Sequence, residues 1–473
     1  MFDTNHSEWA SLIFGNADLG DPRRNNRLVK IATDMATHVG DSVSSASNDS
    51  ASIEGAYRFI RNDKIKPEDI AQAGFLRTDE IVKNCPLVLA IQDTSGLSYR
   101  HSVCLELGDA SSSKSDKNKP KGRTLFAHST LMIDANSEQV LGIANQHYWF
   151  RETKNKETKE VLQARRIEDK ESFKWQKNME ELSARMGSMA NVIDVCDREA
   201  DIYEYFAYQQ AHGHRFLVRA KDDRLLNKPK GKLSELVLNS EPNGFYQVNI
   251  PQKGGRPARQ AEVALNYQKI TIKKPKRVNG VKELSLNMVI CREVSNEQTP
   301  EKLCWILYTS EPIDSMTEAR QLVRYYELRW RIEEFHKVWK SDGTQVEKLR
   351  MQKRENLKRV AVIQAFIAVR LMQLQGVIQN KEWAKEIPCT PFLSTLSWKC
   401  LWLKTEKKKA LPTKKPSLYW AYYAIAKLGG WYDSKRTGKV GMKVLWRGWQ
   451  KLMEQVESIE LFKELERCET NSV

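Results

Sequence analysis

The chain has 473 residues, 41% hydrophobic and 29% charged, enough for sizeable cores and about three domains at ~150 residues each. Lys and Arg outnumber Asp and Glu by 76 to 60, and the formal net charge of +16 favours a polyanionic partner, nucleic acid being the commonest. The most apolar stretch, Val360 to Ile378, is broken by Gln364, Arg370 and Gln373 and reads as a buried helix, not a membrane span. Eight scattered cysteines form no CxxC pair and no zinc-spaced cluster, and the N-terminus lacks the pattern of a targeting segment, so a reduced, cytoplasmic protein is expected.

Residues 1–69 are expected to form a small helical module. Asp21-Pro22 is a helix start, with Asp as N-cap and Pro in the first turn. Arg23, Arg27 and Lys30 then share one face, while Leu28, Ile31 and Met35 supply the buried one. A second helical stretch, Ile53 to Ile60, sets Arg58 and Arg61 beside Tyr57 and Phe59. Taken alone, these features fit a DNA-binding module and a solvated basic helix equally well.

From about residue 70 the pattern turns α/β. Leu87 to Ile91 is a short apolar run expected to be a buried strand ending at Gln92-Asp93. A polar, basic tract from Ser111 to Arg123 reads as a loop. Leu131 to Ile133 and Val140 to Ile143, joined by Asp134-Ala135-Asn136-Ser137, read as a hairpin. A helix around Lys170 to Met186 leads to a strand at Val192 to Cys196, which ends at Asp197. Between about 240 and 310 the alternation is β-rich, in Tyr246 to Ile250, Val263 to Ile272, Leu284 to Cys291 and Leu303 to Leu307. One long helix is expected from Ser315 to Lys340. Residues 404–415 carry six lysines against one glutamate, a charged linker or polyanion-facing loop, and an aromatic helical segment follows from Leu418.

A carboxylate at the end of a buried strand is held rigidly while its head reaches the rim. Asp93 and Asp197 on neighbouring strands would offer the hard oxygen ligands that Mg²⁺ prefers, although many α/β folds also end strands in Asp. In the helix after Ser315, Leu328, Ile332, Phe335 and Trp339 form a buried face. Tyr326, Arg329, Glu333 and Lys340 form a second stripe, nearly opposite. That stripe is either a solvated face with an ordinary Arg329–Glu333 ion pair or a third metal carboxylate set among phosphate-binding groups.

Three segments, AIQDTSGLSYRH around Asp93, VIDVCDREADIY around Asp197 and YELRWRIEEFHKVWK around Glu333, resemble the acidic motifs of the Tn-five group of the IS-four family of bacterial insertion-sequence DDE transposases. The third matches the family's Tyr-x2-Arg-x3-Glu-x6-Lys signature at Tyr326, Arg329, Glu333 and Lys340. LGDPRRNNRL, EGAYRFIRN and LGGWYDSKRTG are similar as well, so the resemblance spans most of the chain; it is weakest at about 376–416, and around Gly254-Gly255 the insertion is short.

The resemblance implies an RNase H-like catalytic core (residues 70–380) with a β-rich insertion at about 240–310. It also implies an N-terminal helical domain (1–69) that reads transposon ends and a C-terminal helical domain (381–473) that pairs two subunits, in which the helix around Tyr419 to Leu428 is placed. By the same resemblance Asp93, Asp197 and Glu333 hold two Mg²⁺ ions, with Mn²⁺ as substitute, and run cut-and-paste transposition through a hairpin. Tyr326, Arg329 and Lys340 would grip a phosphate, Arg219 and Lys221 the DNA backbone, and Trp305 would stack a flipped base; Arg23, Arg24 and Arg27 would meet the transposon ends. The expected partners are double-stranded DNA, as terminal inverted repeats and target, and a second subunit; no membrane is expected, and the setting is the bacterial cytoplasm and nucleoid. Competing readings are a metal-dependent nuclease or resolvase without strand transfer, a silent DNA-binding descendant, and a basic structural protein, which would leave the Tyr326–Lys340 stripe unexplained.

Overall fold

Twelve strands carry the β structure of the computed structural model, which describes residues 6–109, 123–151, 165–250, 259–276, 278, 280–294, 303–376, 378, 381–390, 393–407, 409–432, 434 and 440–470. They are β1 (Val88–Tyr99), β2 (Gly108–Asp109), β3 (Arg123–Asp134), β4 (Val140–Trp149), β5 (Val192–Cys196), β6 (Arg215–Arg219), β7 (Leu225–Lys228), β8 (Gly231–Lys232), β9 (Gly244–Ile250), β10 (Arg259–Lys273), β11 (Glu283–Val294) and β12 (Cys304–Thr309). Contacts divide the chain into two units. One comprises Thr78–Gly96 and Phe126–Glu333; the other comprises Met1–Arg77, Leu97–Leu125 and Glu334–Val473. This grouping cuts across the sequence boundaries at 69 and 380, because the N-terminal helices cluster with the C-terminal ones.

The first unit is a sheet with helices against it. Its strands run β3-β1-β5-β6-β12-β11-β10-β7-β8, with β4 paired to β3 and β9 to β10. β1, β5 and β6 are parallel, whereas β6-β12, β12-β11, β11-β10, β10-β9, β10-β7, β7-β8 and β3-β4 pair antiparallel. The β4-β3-β1-β5-β6 portion has the mixed order of an RNase H-like core. Parallel strands covered on both faces read as continuous apolar runs, and all five residues of β5 are buried. The helix Lys174–Met186 turns Trp175, Met179, Leu182 and Met186 into the core at helical spacing.

The hairpin expected at 131–143 is present with longer arms, as β3 and β4. β1 differs from expectation: it does not stop at Gln92-Asp93 but continues to Tyr99, because buried Leu97 and Tyr99 resume the alternation beyond it. The β-rich insertion is also present, as β9 to β12. It is not a separate layer: β12 pairs with β6, so these strands prolong the core sheet. Residues 111–122 of the basic tract, and Gly254-Gly255, lie outside the described residues.

The second unit is mainly helical. Asp21 caps the helix Pro22–Thr37 as expected, its carboxylate accepting from the Arg23 N–H at 2.9 Å. The helix Arg354–Gly376 is the expected buried one, and Phe14 meets its Phe366 edge-on at 5.5 Å. Arg359 from the same helix donates to the carbonyls of Ile65 (2.6 Å) and Ile60 (2.8 Å). The helix Leu418–Leu428 packs against Met442–Thr470 backbone to backbone: a Cβ on Gly448 would collide with the Ile425 carbonyl, and one on Gly429 with that of Val444. No described helix is long and apolar enough to cross a membrane.

Candidate active site

The register of β1 on β5 pairs Ile91 with Val195; carried two residues on, it sets Asp93 beside Asp197. Asp93 therefore lies mid-strand, at the point where β1 outruns its parallel partner. Asp197 follows β5 directly and caps the short 3₁₀ turn Arg198–Ala200, accepting from the Glu199 N–H at 2.8 Å.

The third acid arrives on a helix that is less regular than expected. Ser315 caps Met316–Leu328, a second helical segment, Trp330–Lys337, follows a break at Arg329, and Val338–Asp342 winds as a π turn. Leu328, Ile332, Phe335 and Trp339 are buried as expected. The second stripe is not a solvated face, however. Tyr326 is only 5% exposed and packs edge-on against Trp305 at 5.2 Å. Lys340 belongs to the other unit, where its ammonium faces Glu347 at 3.6 Å.

Asp93 and Glu333 offer carboxylate oxygens within 4.8 Å of each other. Arg329 stands between them, 3.8 Å from Asp93 and 3.5 Å from Glu333. Burial, and then the charge of Glu333, push the Asp93 carboxyl up to about 7, against the pull of the Thr94 N–H and Arg329. Asp197 is raised too, chiefly by burial, against the pull of the Glu199 N–H, with the Glu199 charge adding to the rise and Arg329 and Lys174 opposing it. Asp93 and Glu333 thus share one guanidinium, whose charge also reaches Asp197. The donor atoms of the three acids are hard oxygens and their mutual repulsion is only partly offset, so the set fits a divalent cation.

Beside this cluster lies a cavity of about 460 Å³ lined by Trp305, Tyr326, Tyr246, Trp330, Arg219 and Arg329, among others. Arg219 also donates to the Cys304 carbonyl at 3.3 Å. Lys221, two residues on, does not join it: it lines a different cavity with Lys170, Glu199 and Arg224.

In the helical unit Arg23 is exposed and pairs with Asp21 at 3.1 Å. Arg24 donates to the Leu19 carbonyl at 2.7 Å, and Arg27 lies against Gly55 on the neighbouring helix. Both are half-buried, so only Arg23 of the three stands well out into solvent.

Residues 6–65 match the transposase DNA-binding family, and residues 145–370 match the transposase DDE domain family. The chain is a DDE transposase. It is an enzyme that cleaves DNA and transfers strands, and such domains depend on a divalent metal, typically Mg²⁺. Asp197, Glu333, Arg329, Trp305 and Arg219 lie inside the matched DDE span, and Asp93 precedes it. A cryo-EM structure of the piggyBac transposase synaptic complex with hairpin DNA aligns over 97% of this transposase and 80% of that chain. Its TM-score is 0.38 and its identity 11%.

The sequence reading missed three residues of this transposase. Trp330 is 46% exposed on the cavity wall beside Arg329, and Tyr246 lines the same cavity. Lys174 places its ammonium 5.6 Å and 5.5 Å from the Trp149 and Trp175 ring centres and 3.4 Å from Glu199. Trp330 was open to detection, being next to Arg329 in the signature. Lys174 was not, since nothing local to residue 174 points to residue 197.

Proposed function

We propose that this transposase acts as the Tn-five group of the IS-four family does, by cut-and-paste transposition of a bacterial insertion sequence. The observation that carries the reading is the pairing of Asp93 and Glu333 on Arg329, with Asp197 set beside Asp93 by the register where β1 runs past β5. Two divalent ions held by these three carboxylates would activate the attacking oxygen and stabilise the leaving oxygen of an in-line displacement. Water is the first nucleophile and frees a 3′-hydroxyl at the transposon end; that hydroxyl attacks the opposite strand to give a hairpin, which is reopened before joining to target DNA.

The chain's own groups suit these steps. Arg329, which balances the acids in the present structure, is placed to turn its fork to a phosphate once other cations balance them. A base leaving the stack at a hairpin would find the Trp305–Tyr326 cavity next to the acids, with stacking contributing about 1–3 kcal/mol. Arg219 on the cavity wall and Lys221 outside it would follow the DNA backbone in different directions. Lys340 would act as a point charge on a neighbouring phosphate. Residues 1–69, with Arg23 foremost, would read the terminal inverted repeats, residues 70–380 would carry the chemistry, and residues 381–473 would pair two subunits in a synaptic complex. The helix around Tyr419 to Leu428 would take part in that pairing, with the exposed Leu461, Phe462 and Leu465 of the helix Met442–Thr470 adding apolar surface.

The test is cleavage of a DNA fragment carrying the gene's own flanks, with Mg²⁺ or EDTA, by wild type and Glu333→Gln. Expected are metal-dependent nicks at the element's ends, reduced in the variant by more than the ~10–100-fold that partners of metal ligands typically cost. A wild type that binds the fragment yet never nicks it with Mg²⁺ or Mn²⁺ would overturn the reading.

A further inference from the structure

Successive side chains of a strand point to opposite faces, so Gln92 and Thr94 face away from Asp93 into the sheet's other layer. There they meet His128 of β3. The ring is fully buried and bonded at both nitrogens, Nδ1 to the Thr94 hydroxyl at 2.9 Å and Nε2 to the Gln92 amide oxygen at 2.9 Å. An amide oxygen only accepts, so Nε2 carries a proton, and in the neutral ring Nδ1 accepts from the Thr94 hydroxyl. The Gln92 amide N–H then donates to Asp194 of β5 at 2.7 Å. Asp194 accepts in addition from Tyr205 and, at 2.9 Å, from Gln209 of the helix Tyr203–Ala211.

We propose that His128 is a positioning residue for the metal cluster: by gripping both neighbours of Asp93 and tying them through Gln92 to β5, it sets the spacing of Asp93 and Asp197. This rests on the reading of Asp93, Asp197 and Glu333 as metal ligands. β1 beyond Ile91 has no further paired residue on β5, so there it is held only by its pairing with β3 and by the Gln92–Asp194 bond, whose Gln92 amide the His128 ring fixes from the other side. Groups that orient ligands in this way are typically worth 10–100-fold in metal affinity.

The experiment uses the full chain stripped of metal, with Mn²⁺ and Mg²⁺ titrated calorimetrically into wild type, His128→Phe, His128→Gln and Glu333→Gln. Phe keeps a planar ring against Trp175, which His128 meets edge-on at 4.7 Å, but deletes both hydrogen bonds. Gln keeps a donor that can reach Gln92. Expected is a 10–100-fold weaker affinity in His128→Phe, partial recovery in His128→Gln, and duplex binding in EDTA equal to wild type for both. An affinity unchanged in folded His128→Phe while Glu333→Gln is weakened would overturn the positioning role alone. Wild type and Glu333→Gln binding metal equally would instead overturn the ligand assignment beneath it. Should His128→Phe fail to melt cooperatively in EDTA, Thr94→Val removes one of the two bonds with little change in volume. A several-fold loss of affinity is expected there, and none would overturn the proposal.

Discussion

Asp194 is a fully buried carboxylate that accepts from Gln92, Tyr205 and Gln209. Burial pushes it up to about 6, although those donors pull it down. A carboxyl whose folded pKa lies above its unfolded value favours the fold most below about 3.8, and that advantage is lost as pH rises through 6. Relative to Asp194→Asn, the wild type should therefore lose roughly 3 kcal/mol of stability between pH 3.5 and pH 7. Urea melts of both proteins across that range check it; a difference that stays constant with pH would mean that Asp194 does not titrate on unfolding. At this scale the sequence was informative where a residue's role depends on its type and its immediate neighbours. Asp21 as an N-cap could be read from Asp-Pro, and the acids of the signature from their spacing. Arg24 and Arg27 could not be distinguished from Arg23, because only the packed fold shows that one reaches the Leu19 carbonyl and the other Gly55.

Elements followed their periodicity closely and departed from it at their ends. β1 overran the expected stop because its first five residues are covered on both faces, while alternation returns only at Leu97 to Tyr99. The helix carrying Glu333 breaks at Arg329 and loosens to a π turn at Lys340, neither of which alters a hydrophobic pattern. The C-terminal helix pair illustrates a contact set by the absence of a side chain. Gly448→Ala would normally favour a helix by about 1 kcal/mol. Here the added methyl meets the Ile425 carbonyl, so a net loss of about 1–3 kcal/mol is expected. Thermal unfolding in EDTA measures it, and a melting temperature at or above wild type would show that the two helices part without cost.

For the whole molecule the charge excess makes a direct prediction. A chain with net charge +16 that follows a DNA backbone should release counterions on binding, so its duplex affinity should fall steeply with salt. With 6–10 phosphate contacts the loss between 50 and 200 mM salt is about 10³–10⁵-fold, and Arg23→Ala should reduce the log–log slope by about 0.9 if that side chain meets a phosphate. Anisotropy titrations of a labelled transposon end provide both numbers; a slope near zero would remove the phosphate-tracking reading.

The sequence by itself determined the class of chemistry, since the three acidic motifs and the basic balance are properties of residue type and local spacing. It also determined which segments are strands and helices, because burial on one face or two imprints a period. Only the tertiary structure decided that Asp93 lies beside Asp197, that the β-rich insertion continues the core sheet, and that Tyr326 turns inward onto Trp305. It alone grouped the first helices with the last and joined Thr94, His128, Gln92 and Asp194 into one bonded chain. Each of those depends on residues tens to hundreds of positions apart, and local periodicity carries no information about which distant segment will cover a given face.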